Sequence, residues 1–176
     1  MSKKGRGKSK GSSFEREVCK KLSYWISGGN EDDLFWRSAM SGGRATVSAK
    51  KGKKLNRHAG DITATAPEGH VLTDYWFVEC KFYTNLNLPL FLLFSAGPLA
   101  KFWRTAKREA KRFDKIPMLI AKQNRSPTIL IVPRTALSNW LSSPELADAR
   151  LIHVRSKKMN IDIYHFDEVL QCEFGD

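Results

Sequence analysis

The run Phe77 to Tyr83, FVECKFY, constrains the chain more than any other stretch. It has the aromatic and apolar composition of a buried strand, yet it carries Glu79 and Lys81 two positions apart. Strand side chains alternate between faces, so Glu79 and Lys81 share one face while Val78 and Cys80 share the other. A carboxylate and an ammonium then stand side by side at the edge of a core. The remaining elements have to form around that strand.

Helical spacing of Phe14, Val18, Leu22 and Trp25/Ile26 predicts a first amphipathic helix that ends near Gly28-Gly29, and Ser12-x-x-Glu15 reads as its capping box. Residues 1–11 lack the apolar content to order alone, so they are expected to form a flexible basic arm, with one domain over residues 12–176. Asp33 to Ser38 predicts a short strand. A basic loop over residues 44–59 follows, without apolar periodicity. Asp61 to Ala66 and Val71 to Tyr83, joined by Pro67-Glu68-Gly69, are expected to pair as a hairpin. Gly97-Pro98 fits a helix start, followed by an apolar stripe of Leu99, Phe102, Trp103, Ala106, Ala110 and Phe113 with a basic opposite face. Ile116 to Ala121 and Thr128 to Val132 predict two buried strands, Ala136 to Leu141 a short helix, and the segments 151–154 and 161–166 an edge hairpin.

Charge narrows the partners. The net charge of +12 is concentrated in three places: the arm, the segment Arg44 to Arg57, and Lys101 to Lys115. Three basic clusters on a mildly acidic body form a footprint for a polyanion, most often nucleic acid. The longest apolar run, Leu88 to Ala100, is broken by Pro89 and Gly97-Pro98 and is shorter than the ~20 residues a bilayer requires. The amino terminus lacks the apolar middle of a signal peptide, so the expectation is a cytoplasmic protein with no membrane partner. Cys19, Cys80 and Cys172 are too scattered for a zinc site or a disulfide framework.

Within this outline, pairing the expected hairpin brings Asp61 to Glu79. Two close carboxylates repel unless a cation sits between them, and hard oxygen ligands suit Mg²⁺, with Mn²⁺ as a substitute. A lysine beside such a metal can orient a water, or favour its deprotonation, for attack on phosphorus. Taken alone, D-x17-E-x-K is also the pattern of a same-face salt bridge on a half-exposed strand. Glu15 is equally a capping residue and Arg37 an ordinary strand-end arginine.

Their order along the chain is more telling. Gly11-Ser12-Ser13-Phe14-Glu15-Arg16-Glu17 precedes Arg37-Ser38-Ala39-Met40-Ser41, then Gly60-Asp61-Ile62, then Val78-Glu79-Cys80-Lys81, then Arg112 to Pro117. This order resembles the archaeal-type Holliday-junction resolvases of the PD-(D/E)xK nuclease superfamily over roughly Gly11 to Val132. The resemblance implies an α/β, restriction-endonuclease-like fold, a mixed β-sheet flanked by helices. It also implies that Asp61 and Glu79 bind the metal with Glu15 completing the acidic site, and that Lys81 assists the nucleophilic water. Arg16 and Arg37 would hold phosphates, with Ser38 a further substrate contact, and a homodimer would cut branched DNA.

The long basic loop is a departure from that family. Its Arg44, Lys50, Lys51, Lys53, Lys54 and Arg57 are expected to bind DNA, either as a clamp on branched DNA or as a grip on any duplex. Two alternatives stand beside a junction resolvase: a nuclease of the same superfamily acting in repair, restriction or phage DNA processing, and a non-catalytic nucleic-acid-binding protein with structural carboxylates.

Overall fold

The computed structural model describes residues 4–38, 59–141, 143–156 and 158–174. The loop residues Arg44, Lys50, Lys51, Lys53, Lys54 and Arg57 lie outside them.

Helix α1 (Lys4–Ile26) carries Phe14, Val18, Leu22 and Trp25 on one buried face. It begins at Lys4, upstream of the expected start at Ser12. Propagating a helix from a packed segment costs less than nucleating one, which lets it run on through Gly5, Gly7 and Gly11 although each is a poor helix former. At the other end Gly28 and Gly29, both at positive φ, terminate the helix.

Strands β1 (Phe35–Arg37) and β2 (Ile62–Ala64) form a small antiparallel sheet in which Arg37 faces Ile62. The expected hairpin between residues 61–66 and 71–83 is therefore not what forms. After β2 the chain makes a 3-10 turn at Pro67–Gly69 and a short helix α2 (His70–Thr73) before β3 (Trp76–Tyr83). A Cβ on Gly69 would lie 2.8 Å from the Leu34 carbonyl oxygen, so this turn is pressed against the entry to β1.

Helices α3 (Leu88–Phe94) and α4 (Gly97–Arg112) follow, then β4 (Ile116–Gln123), β5 (Ile129–Pro133), α5 (Ala136–Leu141), α6 (Leu146–Ala149), β6 (Arg150–Arg155), β7 (Asn160–His165) and α7 (Phe166–Val169). The main sheet has the order β3-β4-β5-β7-β6; β3 and β4 are parallel and the other pairs antiparallel. It is a mixed sheet flanked by helices, as expected of a restriction-endonuclease-like fold. The tail forms the expected hairpin, with β6 at the edge.

Alternation along the strands divides the core in two. Val78, Cys80, Met118, Ile120, Leu130 and Val132 pack toward α1 with Leu137 and Phe166. On the opposite face Leu119, Ala121, Ile131 and Ile163 pack toward α3 and α4 through Phe91, Leu99 and Trp103. Each fully buried side chain of this kind contributes about 1.5–3 kcal/mol. The α1-facing side of β3 is thus committed to the core, whereas its other side carries Glu79 and Lys81 and the strand lies at the edge of the sheet. Among the described residues no helix is long and apolar enough to cross a membrane.

Candidate active site

Asp61 is fixed at that open edge from two directions. Its carbonyl accepts from the Ser38 N–H at 2.8 Å, extending the β1–β2 pairing by one residue, while its own N–H donates to the Val78 carbonyl at 2.8 Å. The Cys80 N–H in turn donates to Asp61 Oδ2 at 2.9 Å. Backbone groups of an edge strand are thereby satisfied by an aspartate instead of another strand. The residue before it makes this approach possible: Gly60 has φ +93, and a Cβ there would stand 2.5 Å from the Val78 oxygen.

Lys81 joins the two acids. Its Nζ lies 3.3 Å from Asp61 Oδ2 and also pairs with Glu79 Oε1; a further hydrogen bond goes to the Cys80 carbonyl at 3.1 Å. The ammonium occupies the position between two carboxylates that the sequence assigns to positive charge. Burial, and then the Asp61 charge, push the Glu79 carboxyl up to about 7 against the opposing pull of Lys81. For Lys81, burial favours the neutral form, but Asp61 and Glu79 together outweigh it and raise the ammonium above its usual range. Lys81 is therefore a cationic hydrogen-bond donor in this geometry.

Across the sheet, on α1, Glu15 accepts a 2.9 Å hydrogen bond from Arg37 Nε. Arg37 is tied to the Asp61 segment by register, since it faces Ile62 and the next residue, Ser38, donates to the Asp61 carbonyl. Arg16 is exposed on α1, and Ser38 is buried beside Asp61. The structure thus gathers Asp61, Glu79, Lys81 and Ser38 directly, and attaches Glu15 with Arg37 as a neighbouring ion pair.

Helix α4 adds groups that the sequence pattern did not single out. Phe102 packs edge-on against Tyr83 and Phe113 stacks with Phe77, which sets this flank of α4 over β3. On that flank Glu109 holds Arg112 Nη1 at 3.0 and 2.9 Å and Arg108 Nε at 3.2 Å, and its charge contributes to the rise at Glu79. The only available signal in the sequence was an isolated acid in the middle of a basic helix face.

The donor set fits a hard divalent cation. Among the described residues no group of three or more His, Cys, Asp or Glu side chains could hold a metal, so the protein offers Asp61 and Glu79. Mg²⁺ is bound through one or two carboxylates with waters and substrate phosphate completing its shell. Burial first, and then the nearby Asp61 charge, raise the Glu79 carboxyl.

A mixed sheet with an aspartate, a Glu-x-Lys strand and the lysine between two acids defines the PD-(D/E)xK class of nuclease site. A family model described as "Phage putative PDDEXK endonuclease" matches residues 6–175, and the chain belongs to that family. It is therefore a nuclease of the PD-(D/E)xK superfamily, the superfamily that the motif order indicated; the match is to phage endonucleases and not to the archaeal-type Holliday-junction resolvases. No curated protein and no solved structure matches the chain.

Proposed function

We propose that this protein is a divalent-metal-dependent, structure-selective DNA endonuclease that hydrolyses a phosphodiester at the open edge of β3. The convergence of Asp61, Glu79 and Lys81 carries the proposal. Asp61 and Glu79 would hold Mg²⁺, with Glu15 supporting the acidic site. When bound, the metal supplies Lewis-acid activation of the phosphoryl group and of water.

The chain's own residues do the rest. Lys81, kept protonated by its two acids, donates hydrogen bonds that hold the water or a non-bridging phosphate oxygen in line for attack. Ser38 and the backbone of β3 fix Asp61, so the acid does not have to reorganise during reaction. Arg37, braced by Glu15, and Arg16 and Arg112 bear positive charge toward neighbouring phosphates.

A four-way junction is the proposed substrate, supported by the order of motifs from Gly11 to Pro117, and a homodimer would supply two sites for paired cuts. The family description favours a second reading, nicking or trimming of phage DNA during its processing. Cleavage of a four-way junction and of linear duplex with the same sequence, each with and without Mg²⁺, separates the two. Symmetric cuts confined to the junction support a resolvase, and equal cutting of both supports general DNA processing. Absence of metal-dependent cleavage of any DNA would remove the catalytic reading.

A further inference from the structure

Helix α4 has a second flank that the active site does not use. With 3.6 residues per turn, Lys107 and Glu109 lie about 200° apart. Glu109 faces the β3 side, whereas Arg104 and Lys107 open into a cavity of about 380 Å³ together with Lys158 from the β6–β7 turn. Ser95 lies at its wall, and Trp103 and Met159 line it. Arg104 Nη1 is held there by a 3.4 Å hydrogen bond to the Ser95 carbonyl.

Three cations from two separate elements converge on this cavity, and no carboxylate lines it. Arg104, Lys107 and Lys158 are all exposed, so their charge is available to an anion that enters from solvent. The volume falls in the roughly 300–1,000 Å³ range of ligand pockets, enough for a nucleotide unit and more than a lone ion requires. Trp103 and Met159 form its buried apolar floor, beneath the exposed cations.

We infer that this cavity is a second DNA-binding site, taking a backbone phosphate and its nucleotide away from the reacting one; the inference rests on the nuclease reading of the β3 edge. An α-helix with its side chains is about 10–12 Å across, whereas DNA rises about 3.4 Å per nucleotide on one strand. The phosphate held by Arg104, Lys107 and Lys158 is therefore several nucleotides from the scissile bond or belongs to another strand. Two sites divided by α4 fix the direction in which a duplex arm leaves the active site.

The test compares Arg104→Gln/Lys107→Gln/Lys158→Gln with a charge-matched control, Lys101→Gln/Arg150→Gln/Arg155→Gln, whose positions are exposed and outside the cavity. Binding of a long duplex and of a duplex too short to span α4 is measured in EDTA over a salt series. Removing the cavity cations should weaken the long duplex at least tenfold beyond the control and lower the salt slope by about 0.9 per lost contact, leaving the short duplex within twofold. Restoring charge with Arg104→Lys in that background should recover part of the affinity. Equal losses for the two triple variants, or an unchanged long-duplex affinity, would overturn the site. Binding of inorganic phosphate and of a mononucleotide is measured alongside: if the cavity substitutions abolish either while long-DNA affinity is unchanged, the cavity is a free-nucleotide pocket, which also overturns it. Cleavage by the unmodified protein, scored separately with Mg²⁺, shows independently whether the nuclease reading fails.

Discussion

Gly60→Ala tests how tightly the active site depends on one missing side chain. The new Cβ would stand 2.5 Å from the Val78 carbonyl oxygen and 3.2 Å from its nitrogen, both of them backbone atoms of β3. To reach ordinary contact at 3.4 Å the segment must retreat by about 0.9 Å. An alanine at φ +93 adds strain of about 1–2 kcal/mol. Retreat also stretches the Asp61 N–H bond to Val78 and the Cys80 N–H bond to the Asp61 carboxylate, the latter worth about 1.5–3 kcal/mol as a hydrogen bond to a charged group. The local penalty is thus about 3–5 kcal/mol, enough to detach Asp61 from the strand edge while both halves of the core stay packed. A displacement on the order of 1 Å at a reacting group can cost about a hundredfold in rate. Urea unfolding monitored by tryptophan fluorescence and single-turnover cleavage, run on the same preparation, read the two effects. Wild-type cleavage together with wild-type stability would refute the argument that β3 and Asp61 need a bare backbone at position 60.

Lys81→Ala should lower the single-turnover cleavage rate at saturating DNA by more than it lowers DNA affinity, and an unchanged rate would remove Lys81 from the mechanism. In EDTA, Glu79→Gln should stabilise the protein above neutral pH. The Glu79 pKa is raised from the usual 4.5 to about 7 in the fold, so its favourable contribution is complete below 4.5 and is lost as pH rises through 7. The upper bound is roughly 3 kcal/mol, reduced because Lys81 also loses a partner; equal unfolding midpoints of the two proteins at pH 8 would contradict it. Changing Lys50, Lys51, Lys53 and Lys54 together to Ala should weaken four-way junctions more than linear duplex in competition binding at fixed salt. An equal loss would make the loop a nonspecific electrostatic arm.

Proximity of Asp61 and Glu79 was legible in the sequence, but the route between them was not. Alternation in DITATA and in the strand before Tyr83 suggests a hairpin. Instead β2 pairs with β1, and the Pro67–Gly69 turn runs into a four-residue helix too short to show periodicity. The partner that β2 takes instead, β1, lies about 27 residues upstream, a long-range pairing with no local signature. The start of α1 was missed for the opposite reason. Ser12 and Glu15 carry a strong local capping signal, yet Glu15 bonds Arg37 instead, and the helix continues upstream to Lys4. Strand faces are legible: Phe77, Glu79 and Lys81 point away from Val78 and Cys80, because a period of two survives any choice of partner strand. The roles of Glu109 and of the two α4 flanks needed the third dimension, since helical spacing alone does not say which flank meets β3.

The central claim is that Asp61 and Glu79 form a metal-dependent hydrolytic site on a surface that binds DNA independently. Single-turnover cleavage in Mg²⁺ and DNA binding in EDTA, measured for the wild type and for Asp61→Asn, test it most directly. The account predicts cleavage by the wild type only when divalent metal is present. In the Asn variant it predicts a rate lower by at least about a hundredfold, the scale of losing ~2.7 kcal/mol of transition-state stabilisation, with affinity for DNA kept within a few-fold. Undiminished cleavage by Asp61→Asn, or binding lost in parallel with cleavage in a folded variant, would contradict it.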